Sequence, residues 1–150
     1  GVQFDSPETW AASNMHARHV VIDRSFPSVG GPHSQGFFVN NIDGWSIDSC
    51  AVDSAGCRPT DASWPGSGCT IYNHGVYAHQ SSKNGKVRRS FFSRCSATAI
   101  QARGGSDDVT ENVCIGNPLG ITTGLQFLPM VLFSTSKACV PFVRSAPFSP

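Results

Sequence analysis

Charged residues are scarce in this sequence. Asp, Glu, Lys and Arg make up 14% of the 150 residues, against about 25% in an average soluble domain. The 11 basic residues nearly balance the 10 acidic ones, and the formal net charge is +1. Nucleic-acid binding needs a basic stripe that displaces counterions, and a polybasic membrane-surface protein needs a similar cluster. The composition therefore predicts neither a nucleic-acid partner nor a membrane partner.

Long hydrophobic runs are also missing. No segment reaches the ~18 uncharged apolar residues that span a bilayer, and the longest apolar-leaning run, 125–133, contains Pro129. Residues 1–5 lack the basic and apolar regions of a signal peptide, although a leader could have been removed before Gly1. The compartment is left open, with an extracellular or periplasmic location favoured.

No Cys-x-x-Cys pair occurs, which makes zinc-ribbon and thioredoxin-like sites weak hypotheses. The even number of cysteines permits three disulfides in an oxidising compartment. Three interpretations stay open: small buried hydrophobic side chains, one or more disulfides, and a metal site. The six cysteines are Cys50, Cys57, Cys69, Cys95, Cys114 and Cys139.

Turn-forming residues are abundant, with 15 Gly and 10 Pro, and they favour short strands over long helices. Four segments repeat one pattern: 36–40, 75–79, 99–103 and 120–124. Each begins with a small residue and then mostly alternates in the way typical of a half-buried strand. The alignment predicts one shared inner position, occupied by Phe37, Val76, Ile100 and Ile121.

A second set of segments lies between the first: 45–50, 87–92 and 109–114, with 20–25 as a looser earlier copy. Each of the three starts with an apolar residue and has a small polar residue fourth and Phe or Cys sixth. The predicted fourth position holds Asp48, Ser90 and Asn112, and the predicted sixth position holds Cys50, Phe92 and Cys114.

The repeat spacing predicts a parallel β-solenoid. Val76 and Ile100 are 24 residues apart, and Ile100 and Ile121 are 21 apart, so two strand signals fall in each coil of a stack whose neighbours close the core. The 39-residue spacing from Phe37 to Val76 predicts a loop insertion around 54–72. We expect the polar fourth position to hydrogen-bond to the next coil, and Arg89 to pair with Glu111.

These residues resemble a known superfamily. The runs Asn-His-Gly-Val-Tyr at 73–77, Gly-Lys-Val-Arg-Arg-Ser-Phe-Phe at 85–92 and Ala-Ile-Gln-Ala-Arg at 99–103 resemble right-handed parallel β-helix proteins. That superfamily includes pectate lyases, the chondroitinase B and alginate lyase family, polygalacturonases and phage tailspikes. The resemblance is clear over 73–124, fainter over 16–52 and absent from 125–150.

The resemblance implies an all-β fold, a short right-handed parallel β-helix of about four to five coils over 1–124. The non-repeating segment 125–150 is expected to cap the last coil or to mediate oligomerisation. Enzymes of this superfamily act on polysaccharides in a groove on an outer sheet face. Its lyases use a Lys or Arg base and commonly calcium, and its hydrolases use clustered Asp residues. The fold alone licenses neither activity.

The outward side of the first strand set combines aromatic rings with amide, imidazole and guanidinium groups. Aromatic rings cover the apolar face of a sugar and Arg can bind a carboxylate, so this side suits carbohydrate. The alternative is an ordinary sheet face packed under a loop or a neighbouring subunit. The predicted ligand-binding residues are Phe38, Asn40, Tyr77, His79, Gln101 and Arg103.

Catalytic and metal-binding candidates are weaker. Lys86, Arg88 and Arg103 could supply a proton-abstracting base, although Lys86 and Arg88 form a basic cluster with Arg89 and Arg94 that also fits a solvated turn. Asp107 and Asp108 could ligate calcium or act as a carboxylate pair. The sequence Gly-Gly-Ser-Asp-Asp at 104–108 is, however, more typical of a turn.

His74 is expected to lie inward, or at the start of its strand, as a hydrogen-bonded structural residue. No Gly-x-Ser-x-Gly elbow accompanies the Ser and His residues. No cofactor is expected apart from calcium in the lyase case.

The sequence thus predicts polysaccharide or oligosaccharide binding on the outer strand face, with lyase-like or hydrolase-like activity left open. Two alternatives remain, a self-assembling structural module of the tailspike or adhesin kind and a fragment of a larger β-helix protein. Unpaired strand edges at the ends of a short solenoid favour a homo-oligomer, formed through those ends or through the C-terminal segment.

Overall fold

The computed structural model describes residues 1–7, 12–26, 33–56, 72–104 and 106–123, and within these ranges all regular structure is β. The strands form three sheets in which every pairing is parallel. Sheet A consists, in spatial order, of β1 (Val2–Asp5), β4 (Phe37–Asn40), β7 (Val76–Ala78), β10 (Thr98–Ala102) and β13 (Leu119–Thr123). Sheet B consists of β2 (Ala12–Arg18), β5 (Ile42–Asp48), β8 (Lys86–Arg88) and β11 (Asp108–Thr110). Sheet C consists of β3 (Val21–Asp23), β6 (Ala51–Asp53), β9 (Phe91–Ser93) and β12 (Val113–Ile115).

The chain visits the three sheets in a fixed order. Four successive sets of three strands each place one strand in sheet A, one in B and one in C, and β13 then returns to sheet A. The predicted all-β class and parallel strands are confirmed. The predicted two strands per repeat were wrong, because each repeat contains three.

The corner between sheets B and C contains no glycine, so the sequence does not show that one strand ends there and another begins. His19, Ser49, Arg89 and Glu111 join the strands of sheet B to those of sheet C with φ between 48° and 58°. The left-handed region costs a non-glycine residue about 1–2 kcal/mol, so such corners usually carry Gly. Because no glycine marks these corners, the sequence pattern predicted one strand over each of the segments 87–92 and 109–114.

The predicted register of residues 45–50 was also wrong. Ile47, and not Trp45, pairs with Val87, and Val52, and not Cys50, pairs with Phe92. Trp45 and Ile47 are both buried in β5. A shift of two residues keeps every side chain on the same face, so the sequence pattern alone did not distinguish the two alignments.

The core lies between the three sheets and is built from columns of residues in register. The first-set alignment is confirmed, since Phe37, Val76, Ile100 and Ile121 are successive partners in sheet A. Sheets B and C contribute equivalent columns. The buried members of the three columns are Phe37, Val76 and Ile100 in sheet A, Ala17, Ile47, Val87 and Val109 in sheet B, and Ile22, Val52, Phe92 and Cys114 in sheet C.

Small residues at the entry to sheet A allow the repeats to approach closely. A Cβ on Gly36 would lie 2.6 Å from the Gly75 carbonyl oxygen, and a Cβ on Gly75 would lie 2.5 Å from that of Ala99. Both contacts are with backbone atoms, which cannot rotate away. Stacking therefore requires glycine at positions 36 and 75.

Buried polar side chains connect one repeat to the next at the corner after sheet B. The Ser90 amide donates to Asn112 Oδ1 (3.0 Å), and Asn112 Nδ2 donates to the Val87 carbonyl (2.7 Å). One repeat earlier, the Cys50 amide donates to Ser90 Oγ (3.0 Å). The expected hydrogen bonds between repeats are confirmed for Ser90 and Asn112, whereas Asp48 lies outside this column.

The buried-thiol interpretation fits the three described cysteines. Cys50, Cys95 and Cys114 are buried thiols, and burial raises the pKa of Cys95 to about 11. Cys57, Cys69 and Cys139 lie outside the described residues. So do most of the predicted loop, at 57–71, and the predicted C-terminal segment.

Candidate ligand-binding face

An aromatic cluster lies on the outer side of sheet A, and we call this side the aromatic face. Phe38 and Tyr77 are partners on β4 and β7, and each alternates with buried residues of its strand. Their rings stack, with centroids 5.9 Å apart and planes 14° apart. His74 stacks on Tyr77 at 5.2 Å, and His79 meets it edge-on at 6.3 Å. Tyr77 is thus the centre of a four-ring cluster.

Arg103 is fixed against the same ring. It follows β10, and its Nη1 donates to Tyr77 Oη at 2.8 Å while its Nη2 donates to Gln80 Oε1 at 3.1 Å. Two bonds from one guanidinium hold its plane in place. The structure therefore brings a cation and an aromatic ring together at the exit of the strands, as the sequence predicted.

A chain of polar groups borders the aromatic face. Ser81 Oγ donates to Asn40 Oδ1 (2.9 Å) and also contacts His79 Nδ1 (2.9 Å). Asn40 Nδ2 in turn donates to Asp5 Oδ1 at 3.0 Å. Asn40 and His79 are thus joined through Ser81, a residue that the sequence analysis missed because it lies in a turn beyond the repeat pattern.

Gln101 differs from its expected exposure. It is the partner of Tyr77 on β10, but only 6% of it is exposed. Strands β7 and β13 flank β10 on both sides, and all five residues of β10 are buried. The accessible part of the aromatic face therefore consists of Phe38, Asn40, Tyr77, His79 and Arg103 and omits the Gln101 amide.

The imidazole of His74 is buried against Tyr77. His74 is 1% exposed, and neither ring nitrogen has a hydrogen-bond partner among the described residues. The expectation of a hydrogen-bonded histidine was therefore wrong. Burial, with a smaller effect of His33, lowers the pKa of His74 to about 4, because an imidazolium there would lose its hydration.

This burial makes stability depend on pH. Between pH 6.5 and about 4 the unfolded chain protonates His74 while the folded chain does not, so stability is lost as the pH falls. We expect a loss of about 2–3 kcal/mol in the free energy of unfolding over that range. Urea unfolding at pH 7 and pH 4.5 measures it. His74→Phe keeps a ring against Tyr77 but cannot ionise, and an equal loss in that variant would contradict the assignment.

The basic cluster is largely neutralised by carboxylates. Arg88 pairs with Asp108, and Arg89 pairs with Asp48. The expected Arg89–Glu111 pair is also present, at 3.9 Å and exposed. No ion pair to Lys86 occurs among the described residues.

Arg94, the remaining cation of that cluster, pairs with Asp53. Its guanidinium holds the pKa of the Asp53 carboxyl below its usual value. Exposed pairs of this kind stabilise by about 0–1 kcal/mol, so their main effect is to cancel charge on the outer face.

The catalytic candidates are divided between two sheets. Lys86 and Arg88 belong to β8 in sheet B, whereas Arg103 follows β10 of sheet A. The structure thus joins only Arg103 to the aromatic face.

The calcium candidates have partners within the chain. Asp107 Oδ1 accepts a hydrogen bond from the Gly85 amide at 2.9 Å, and Asp108 pairs with Arg88. Burial raises the pKa of Asp107. Within the described part of the chain, no three His, Cys, Asp or Glu residues are grouped so as to hold a metal ion.

Comparisons with protein-family models, curated proteins and solved structures give no match to this chain. In the described ranges, no helix has the length and apolar character needed to cross a membrane. The functional interpretation therefore depends on the geometry of the sheets and of their outer faces.

Proposed function

We propose that this chain is a short right-handed parallel β-helix that binds a polysaccharide or oligosaccharide on its aromatic face. The recurring A–B–C order of parallel strands supports the solenoid, since each repeat then closes the core of its neighbours. The right hand follows from the strong preference of parallel strand crossovers for that hand.

The stacked Phe38–Tyr77 pair is the observation that carries the proposed function. Because the two rings lie on adjacent strands with nearly parallel planes, a sugar chain lying across the strands would meet one ring after the other. Aromatic rings pack against the apolar faces of sugars. Arg103, held on Tyr77 Oη, supplies a donor for a hydroxyl or carboxylate beside the rings.

The proposal is one of binding rather than catalysis. Lys86 and Arg88 lie on another sheet from the rings, and Arg103 is engaged by Tyr77 and Gln80. Lyase activity has a direct assay in the ultraviolet absorbance of unsaturated uronates. Running that assay with and without calcium tests the one cofactor that the resemblance implies.

The binding proposal predicts a loss of affinity in Tyr77→Ala. Hot-spot aromatic residues contribute more than 1 kcal/mol, so the Kd for the preferred glycan should rise about tenfold or more. Affinity electrophoresis against a panel of acidic and neutral polysaccharides finds the ligand, and calorimetry with oligosaccharides measures the Kd. Arg103→Ala should weaken the binding of acidic glycans more than the binding of neutral glycans.

Phe91→Ala is the matched control, since Phe91 is an exposed aromatic residue (40%) on sheet C. It should bind glycan with the wild-type Kd. Equal affinity of Tyr77→Ala, Arg103→Ala and the wild type would reject the aromatic face as the binding site.

Self-assembly is the second candidate function, and an apolar column on the outer side of sheet C favours it. Val21, Ala51, Phe91 and Val113 are successive partners there, and Val21 and Val113 are 77% and 46% exposed. The neighbouring Asp23–Arg24 and Asp53–Arg94 pairs give the face charges of both signs, which suits a two-fold contact with a second copy. Light scattering over a concentration series should then show a dimer, and a monomer throughout would exclude it.

A further inference from the structure

A groove of about 520 Å³ crosses the outer side of sheet B. One row of side chains along it comes from four adjacent strands in register: His16, Ser46, Lys86 and Asp108. The groove is also lined by Trp45 and Gly85. A Cβ on Gly85 would lie 2.1 Å from two indole carbons, so the indole fills the space beside this glycine. The surface that the groove offers is therefore the polar row, since Trp45 is only 1% exposed.

His16 and Ser46, the first two members of the row, are arranged like a general base and a nucleophile. His16 Nδ1 lies 2.8 Å from Ser46 Oγ, within the range for proton transfer from a serine hydroxyl. No other hydrogen bond to the Ser46 hydroxyl occurs among the described residues. With the proton of His16 on Nε2, Nδ1 is the acceptor of the Ser46 proton.

A second serine–histidine contact in the chain has a different arrangement. Ser81 Oγ lies 2.9 Å from His79 Nδ1, but it donates its proton to Asn40 Oδ1. His79 therefore does not take the proton of Ser81. The two pairs resemble each other in distance and differ in where the serine proton points, which makes Ser81 a matched comparison.

Lys86 follows Ser46 in the row and is positioned to stabilise negative charge. Its neighbour Asp108 is engaged by Arg88, and no ion pair to Lys86 occurs in the described ranges. An ammonium group beside the serine is suited to an oxyanion that develops on an attacked carbonyl.

We propose that Ser46, His16 and Lys86 form a second site, one that hydrolyses acyl esters. Ser46 Oγ forms a bond to the ester carbonyl carbon while His16 takes the serine proton. The bond to the alkoxide leaving group then breaks, and His16 returns that proton to the alkoxide. Water attacks the acyl-serine in the same way and releases the carboxylic acid, with the proton restored to Ser46. No oxidant, reductant or metal is needed, and the substrate class is a small O-acyl ester.

Labelling of the native protein with a fluorophosphonate tests the site without any variant. We expect one covalent adduct in the intact mass, mapped to Ser46 by peptide sequencing, together with hydrolysis of p-nitrophenyl acetate. Ser46→Ala should abolish the adduct. His16→Gln should slow labelling and hydrolysis about 10²–10⁴-fold, the usual contribution of a general base. Ser81→Ala removes a hydroxyl beside the aromatic face and not in this groove, so it should keep the Ser46 adduct and the wild-type rate of ester hydrolysis.

Three results would overturn the proposal: no adduct on Ser46, equal labelling of Ser81, or an unchanged labelling rate in His16→Gln of wild-type thermal stability. Glycan binding by the aromatic face does not depend on any of them, because the two sites lie on different sheets. Lys86→Met tests whether the Lys86 ammonium stabilises the oxyanion. It should lower the hydrolysis rate, and an unchanged rate would remove Lys86 from the site.

Discussion

Trp45→Ala is expected to lower the free energy of unfolding by about 3–5 kcal/mol, the usual cost of deleting a large buried aromatic side chain. Trp45 is 1% exposed and among the largest fully buried side chains in the described ranges. Its Nε1 has no hydrogen-bond partner within the described part of the chain, so the cost comes from packing. Gly85 lies against the indole and has no side chain with which to fill the cavity.

Urea unfolding followed by circular dichroism measures this loss. Circular dichroism reports on the backbone, whereas tryptophan fluorescence would mix the signal of the deleted indole with that of two other tryptophans. Phe91→Ala is the control, because it removes an aromatic ring that is 40% exposed, and it should cost about 1 kcal/mol or less. If Trp45→Ala cost no more than Phe91→Ala, the indole would not occupy the interior between the sheets.

Asn112→Ala should cost about 2–5 kcal/mol. The Asn112 side chain serves two backbone groups of the preceding repeat, the Ser90 amide and the Val87 carbonyl, and it is 2% exposed. Alanine would leave the buried Ser90 amide without this partner, at about 1–3 kcal/mol, and would remove one hydrogen bond from the Val87 carbonyl, at about 0.5–1.5 kcal/mol. The loss is large because one side chain substitutes for a pair of backbone partners.

Chemical denaturation compares Asn112→Ala with Gln3→Ala, which removes an exposed amide bonded to Asp5. The control should change the free energy of unfolding by less than about 0.5 kcal/mol. A similarly small change in Asn112→Ala would mean that the repeats do not stack through this corner.

Sheet A could be predicted closely from the sequence, and the reason is local. Gly36 and Gly75 open their repeats because a Cβ at either position would meet the carbonyl of the next strand, and strict alternation follows them in β4 and β7. These two signals together define the register of Phe37, Val76, Ile100 and Ile121. Strand β1, which pairs with β4, went unnoticed although Gly1 occupies the position of Gly36, because Val2 and Phe37 are 35 residues apart and the later repeats are 21 and 24 residues long.

Sheets B and C were merged because their shared corner carries no residue that signals a turn. Ser49, Arg89 and Glu111 take the left-handed conformation without glycine, and nothing in their chemistry marks that choice. Stacking against the same corner in neighbouring repeats supports a conformation that an isolated segment would avoid. Information of this kind is long-range and is not contained in a window of ten residues.

The sequence predicted which residues lie on the candidate site but not which contacts they make with one another. Alternation placed Phe38 and Tyr77 on one face, and the structure confirms that they are neighbours. The Arg103 bond to Tyr77 joins residues 26 apart, and Gln101 is buried although its partner Tyr77 is partly exposed. Both follow from packing between repeats, which single-segment patterns do not report.

A backbone NOE experiment on isotope-labelled protein tests the parallel stacking most directly. The account predicts contacts between the backbones of Val76 and Ile100, and of Ile100 and Ile121, in the amide-to-α-proton pattern of parallel strands. Strong α-to-α contacts of antiparallel hairpins, or helical amide-to-amide contacts over 98–123, would contradict it.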